Sequence, residues 1–122
     1  MPLLSDSAIT LLATKTAVNM QNGAGATTLF TTAAGKVTRI THVVVRDVSA
    51  TLAGGTDYDF TSWVQTADLS SMTTANTLYR VITASSTTDY TEIAASTAFQ
   101  ITPSTGSAGA ATATIDVFGY TT

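Results

Sequence analysis

Cysteine is absent from this chain of 122 residues, and histidine occurs only once. Without cysteine there is no disulfide and no thiol nucleophile, and the usual zinc sites are excluded because they need several Cys or His ligands. Charge is also scarce, with five basic and eight acidic residues, whereas soluble domains carry about a quarter of charged positions. The formal net charge is −3 and no basic cluster occurs, so phosphate-mediated binding of nucleic acid is not expected.

Long apolar runs are missing as well. No stretch approaches the roughly 18 consecutive apolar residues of a membrane-spanning helix. The first residues lack the positively charged region that begins a secretory signal. The length suits one compact domain, and the hydrophobic fraction of 44 % is enough for a core.

Threonine, alanine and serine dominate what is present, with 27, 19 and 11 copies. Solubility normally draws on interspersed charges. A surface of hydroxyl and methyl groups instead favours a protein that packs against copies of itself or against a partner.

Short β-branched and aromatic runs separated by Gly, Ser, Asn and Asp predict an all-β chain without a convincing helix. Eight strands at this spacing predict an antiparallel β-sandwich of jelly-roll type. We expect Pro103 to end the seventh strand, and residues 67–76 to be irregular or a single helical turn. The predicted strands span residues 10–20, 27–32, 36–48, 56–64, 78–83, 90–94, 98–102 and 111–120.

Two of these strands have informative patterns. In the fourth, Tyr58 and Phe60 alternate with Asp57 and Asp59, which predicts one buried face. The third contains the run 43–45, Val-Val-Val, which is apolar on both faces. It is therefore predicted to be central in its sheet, or covered on its outer face by another subunit.

The acidic residues Asp47, Asp57 and Asp59 are close in sequence. Hard cations such as calcium bind carboxylate oxygens, but EF-hand spacing is absent, so a solvated strand face is the favoured interpretation. His42 is interpreted as a packed or interface residue. A catalytic triad would need a nucleophile and an orienting acid beside it, and no serine lies in a G-x-S-x-G elbow.

Aromatic residues allow two interpretations. They could form a platform that stacks sugars, although such residues more often fill a core or a subunit seam. Isolated arginines are expected to pair with acidic groups between subunits. The aromatic residues are Tyr58, Phe60, Trp63, Tyr79 and Tyr90, and the arginines are Arg39, Arg46 and Arg80.

Residues 1–12 are predicted to form an N-terminal arm, followed by a single domain over residues 13–122. A free apolar arm would be a liability in solution, so we expect it to dock onto a neighbouring molecule. Its candidate interface residues are Leu3, Leu4, Ile9, Leu11 and Leu12.

Three segments share the strand and turn order of a known family. They are residues 28–36 (TLFTTAAGK), 40–47 (ITHVVVRD) and 115–120 (IDVFGY). The chain resembles small virion proteins of tailed bacteriophages, especially the jelly-roll capsid decoration, or cement, proteins.

The resemblance implies a non-enzymatic structural protein without a cofactor, made in the host cytoplasm and located on the capsid surface. It would bind the major capsid protein and itself, as a homotrimer, and clamp neighbouring capsid subunits. Two alternatives remain open: a phage tail, neck or fibre component, and a carbohydrate-binding module that uses Tyr58, Trp63 or Tyr79. A hydrolase is a weaker third alternative, because no motif supports it.

Overall fold

The computed structural model describes residues 9–63, 67–74, 79–84 and 90–122. These residues form eight strands in two antiparallel sheets and no helix, which confirms the predicted all-β class. Accordingly, no helix in these ranges could cross a membrane. The strands are β1 (Thr10–Asn19), β2 (Thr27–Thr31), β3 (Thr38–Arg46), β4 (Asp57–Phe60), β5 (Tyr79–Thr83), β6 (Thr91–Ile93), β7 (Ala98–Thr105) and β8 (Thr112–Thr121).

The larger sheet has five strands in the order β1-β8-β3-β5, with β6 also paired to β3. The smaller sheet has the order β2-β7-β4. Strand β3 is central, because β8 pairs along one of its edges while β5 and β6 share the other. The sequence prediction of a central strand is therefore confirmed.

Both sheets contribute to one apolar core. In β3, Val43 and Val45 are fully buried while Val44 is half-buried on the opposite face. In β4, Tyr58 and Phe60 are buried, as their alternation with aspartates predicts. Burial of one large apolar side chain contributes roughly 1.5–3 kcal/mol relative to its exposure, so these inward positions fix which face of each strand meets the core.

Strand β7 continues through Pro103 to Thr105, so the prediction that Pro103 ends this strand is wrong. Strand β2 pairs with β7 only as far as Ile101. Beyond that point one edge of β7 has no partner strand among the described residues. Proline is tolerated at such a position because its missing N–H leaves no ladder bond unmade.

Strand β1 begins at Thr10, so the last three residues of the predicted arm lie in a sheet. Leu11 is paired with Phe118 of β8, and Thr10 with Gly119. Leu3 and Leu4, the first two candidate interface residues, lie outside the described residues.

Candidate interaction surface

The five-stranded sheet has one face on the core and one face that no other described element covers. Side chains alternate between the two faces of a strand. The neighbours of buried Val43, Val45, Ile115 and Val117 therefore point away from the core. We call this side the outer face, and its side chains include Ile9, Leu11, Thr14, Arg39, His42, Val44, Arg46, Tyr79, Val81, Thr83, Thr114, Asp116, Phe118 and Tyr120.

Large apolar side chains are exposed at both edges of this sheet. Leu11 in β1 is 54 % exposed, and Ile9, two residues before it, is 56 % exposed. In β5, Tyr79 is 59 % and Val81 49 % exposed. No other large apolar side chain in the described ranges is classed as exposed. The exposed large apolar side chains of the described ranges are therefore grouped in two pairs, one at each edge of this sheet.

The middle of the outer face carries an ion pair that links β3, β8 and β1. Arg46 Nε donates to Asp116 Oδ2 at 2.8 Å, and Thr14 Oγ1 donates to Asp116 Oδ1 at 2.7 Å. The hydrogen bond from Arg46 holds the pKa of Asp116 below its usual value, and in return raises the pKa of Arg46. Arg46 Nη1 also donates to Asp47 Oδ2 at 2.6 Å. The guanidinium charge is thus compensated within one chain.

Arg39 occupies one end of the same face. Its guanidinium carbon lies 5.4 Å from the centre of the Tyr90 ring and 6.0 Å from that of Tyr120. It also forms an ion pair of 3.2 Å with Glu92 and donates to Thr122 Oγ1 at 2.8 Å. These partners of Arg39 belong to its own chain, and the pairing of arginines between subunits stays a prediction.

The imidazole ring of His42 stacks on the ring of Phe118 on the outer face. Its ring centre lies 4.7 Å from that of Phe118, and the two planes differ by 5°. Its Nδ1 lies 2.9 Å from Thr41 Oγ1. Within the described residues no carboxylate forms an ion pair with it. This geometry supports the interpretation of His42 as a packed residue.

The three clustered aspartates of the sequence do not converge in space. Asp47 contacts Arg46, and Asp59 in β4 accepts a hydrogen bond from Ser104 Oγ. In the described part of the chain no group of three or more His, Asp or Glu side chains could hold a metal ion. The described residues therefore provide no group of carboxylates that supports the calcium hypothesis.

Two of the three aromatic residues named for the carbohydrate-binding alternative lie in the core. Tyr58 is fully buried, and its hydroxyl donates to Met20 O at 2.8 Å. Trp63 is 9 % exposed and packs on Phe60, with ring centres 4.6 Å apart. Tyr79 is thus the one exposed ring of the three.

Tyr79 was considered from the sequence for a sugar platform, a core or a subunit seam, but Val81 was not selected as an interface candidate. The sequence does contain a signal for Val81, because Val81 and Ile82 are adjacent apolar residues in one strand. Adjacent residues point to opposite faces of a strand, so this strand is apolar on both faces, as residues 43–45 are. Ile82 packs against the core while Val81 lies on the outer face.

Comparison of the chain with protein-family models, with curated proteins and with solved structures found no match. The outer face is therefore interpreted from its own geometry. It offers apolar edges and a compensated ion pair, an arrangement suited to contact with another protein surface.

Proposed function

We propose that this chain is a non-enzymatic virion protein that binds the outer surface of a phage capsid and stabilises it by clamping neighbouring capsid subunits. In this proposal its two sheets form a β-sandwich of jelly-roll type. The observation that carries the proposal is the exposed apolar surface at both edges of the outer face, made by Leu11 and Ile9 on one side and Tyr79 and Val81 on the other.

The physical basis is mass action. A protein that binds only the assembled shell stabilises that shell relative to its dissociated subunits. Many copies on one particle, joined to each other as a homo-oligomer, multiply a modest affinity at each site. A surface low in charge favours this use, because little desolvation of ionic groups opposes the contact.

The candidate interface residues divide into two roles. Leu12 packs against the core and anchors the start of β1. Ile9 and Leu11 are exposed beside it. In the proposal, Leu3 and Leu4, which precede the described residues, contact the capsid protein.

The first test is copy number. Particles from the organism that encodes the chain are purified, and the chain is quantified against the major shell protein by mass spectrometry. A simple ratio to the shell protein is expected. A handful of copies per particle would instead indicate a tail, neck or fibre component, and absence from particles would overturn the proposal.

The second test removes residues 1–7 and measures binding to particles that lack the chain. Loss of binding is expected, while the variant Lys36→Ala, at an exposed turn position, should bind like the unmodified chain. Unchanged binding by the deletion variant would show that the arm does not contact the capsid.

A further inference from the structure

The segment between β1 and β2 contains an asparagine followed by a glycine, Asn22 and Gly23. Both residues are exposed and lie at the centre of a turn, which Ala24 closes by donating from its backbone N to Gln21 O at 3.1 Å. Gly23 has a φ of 81°, a conformation that glycine adopts without strain. Beyond its chain neighbours, no atom lies within 4 Å of the place that a Cβ of Gly23 would occupy, so this side of the turn is open.

The backbone N–H of Gly23 is available for chemistry. It donates no hydrogen bond to any residue that the structure describes, and Gly23 is exposed to solvent. An amide nitrogen in this state can give up its proton to hydroxide and become a nucleophile. A bond from this nitrogen to Asn22 Cγ would close a ring through the Cβ, Cα and carbonyl carbon of the same asparagine.

The side-chain amide of Asn22 is held by a backbone donor. Gly106 N donates to Asn22 Oδ1 at 3.1 Å, and Asn22 N donates to Ser107 O at 3.0 Å. Attack on Cγ moves negative charge onto Oδ1, and a fixed N–H that points at such an oxygen stabilises the charge. The contact with Gly106 therefore favours the adduct that the Gly23 nitrogen would form.

We infer that Asn22 is a site of self-modification, where the backbone nitrogen of Gly23 displaces ammonia from the side-chain amide. The Gly23 nitrogen gives its proton to solvent and bonds to Cγ. The bond from Cγ to Nδ2 breaks, and Nδ2 takes a proton from solvent and leaves as ammonia. Water then opens the cyclic imide. Cleavage between the Gly23 nitrogen and Cγ gives aspartate, whereas cleavage between that nitrogen and the main-chain carbonyl carbon gives isoaspartate. Water is the only co-reactant.

Asn19 provides an internal comparison. It is exposed, and its Oδ1 also accepts from a backbone donor, Gln21 N, at 3.0 Å. The nitrogen that follows it is different, because Met20 N donates to Ala111 O at 2.9 Å and Met20 is fully buried. This nitrogen is not available as a nucleophile. We therefore expect the folded chain to convert Asn22 and to spare Asn19.

The isoaspartate product changes the contact between this turn and the segment after β7. Its backbone is one carbon longer, and its free carboxylate is attached directly to Cα, so the carboxylate is one carbon shorter than the asparagine side chain. Gly106 N, in a buried residue, then loses the acceptor that Oδ1 provides. Ser107 beside it donates from its backbone N to Met20 O at 2.9 Å. A buried N–H without a partner is costly, so the converted chain should be less stable.

Mass spectrometry tests the site directly. The folded chain is incubated at mildly alkaline pH and digested with trypsin, which cleaves after Lys15 and Lys36 and leaves both asparagines in the peptide 16–36. Fragmentation is expected to place the gain in mass at Asn22, increasing with time and with pH, and an isoaspartate methyltransferase should label the same peptide. No conversion at Asn22, or equal conversion at Asn19, would overturn the inference.

Variants and unfolding separate the role of the fold from that of the sequence. Asn22→Gln places the amide carbon one methylene further from the Gly23 nitrogen, so it should abolish the methyl label, while Asn19→Gln should leave it unchanged. Unfolding in urea frees the Met20 nitrogen and should therefore accelerate conversion of Asn19 more than conversion of Asn22. If unfolding accelerates Asn22 as much as Asn19, the folded turn blocks ring closure and the inference is wrong.

The effect on stability has its own control. Asn22→Asp adds the same negative charge on a normal backbone and keeps an acceptor for Gly106 N, so it should unfold in urea close to the original chain. The incubated chain, which contains isoaspartate, is expected to unfold at a lower urea concentration. If the incubated chain and Asn22→Asp are equally stable, the longer backbone is tolerated and the proposed loss of contact is wrong. None of these measurements uses particles, so they leave the capsid proposal untouched.

Discussion

Gly119 of β8 lies directly against the backbone of Arg39 in β3. A Cβ at this glycine would overlap the Arg39 carbonyl oxygen and would lie 3.1 Å from Ile40 Cα. The close approach occurs beside the register shift between Ile40 and His42, where β3 has one residue more than β8. The bulge and the glycine therefore belong together, because the displaced backbone of β3 occupies the space of a side chain.

Gly119→Ala is expected to destabilise the protein by about 2 kcal/mol or more, since the obstructing atoms are backbone and overpacking of this kind forces backbone shifts. Urea unfolding measures the change. Gly109→Ala is the control, because a Cβ there would meet no atom within 4 Å. Equal stability of the two variants would show that the strands can separate at Gly119 without loss.

Tyr58 joins three segments through its buried hydroxyl. It donates to Met20 O at 2.8 Å and accepts from Ser107 N at 3.1 Å. Tyr58→Phe keeps the ring but leaves these buried groups with fewer partners, so we expect a loss of about 1–2 kcal/mol in the free energy of unfolding. Thr51→Ala, at an exposed loop position, provides a comparison for loss of a hydroxyl. If Tyr58→Phe is as stable as the original protein, the hydroxyl makes no net contribution to the free energy of unfolding.

The same residue predicts an alkaline effect. Burial raises the pKa of Tyr58 above its usual value, so the folded protein holds this proton more tightly than the unfolded chain. Its contribution to stability is complete below about pH 10 and declines as pH rises further. Unfolding in urea at about pH 8 and about pH 11 should show a smaller decline for Tyr58→Phe than for the original protein. Equal declines would contradict the burial effect.

The class of the fold was predictable because it depends on local patterns. The alternation of Tyr58 and Phe60 with aspartates is a property of one strand, and so is the apolar run 43–45. Tyr58, Phe60, Val43 and Val45 are buried in the structure, as these local patterns predict. The prediction that β7 ends at Pro103 was wrong because it considered the proline without the strands on either side of it. Whether Pro103 can stay in a strand depends on how far β2 extends beside it, which is a property of the pairing.

The candidate surface was only partly predictable for the same reason. Leu11 and Ile9 were selected as apolar residues of an arm, although β1 already includes Leu11. The outer face joins β1 to β5 across β8 and β3, and strand order of this kind is not contained in any local segment. Only the topology shows that exposed Leu11 and exposed Val81 belong to one sheet.

Acid stability should depend on Asp116. The hydrogen bond from Arg46, helped by that from Thr14, holds the pKa of this carboxyl below its usual value. The stability it contributes is present above the pKa of an unfolded aspartate and is lost as pH falls below about 4. Asp116→Asn should therefore lower stability near neutral pH and flatten the acid decline. Asp47→Asn, at an exposed carboxylate that contacts the same guanidinium, should change both much less. If the free energy of unfolding of Asp116→Asn falls at acid pH as much as that of the original protein, groups other than Asp116 cause the decline.

Trp63 is the only tryptophan of the chain, so its fluorescence reports on one site. It packs on Phe60 and Phe99, and its buried indole nitrogen has no hydrogen-bond partner among the described residues. We expect a blue-shifted emission maximum and weak quenching by acrylamide, both reverting to values typical of exposed tryptophan in denaturant. Because the ring is in the core, a broad set of glycans should leave the emission unchanged. Saturable quenching by a glycan, abolished by Tyr79→Ala but not by Ala34→Lys, would contradict a purely structural role and favour the carbohydrate-binding alternative.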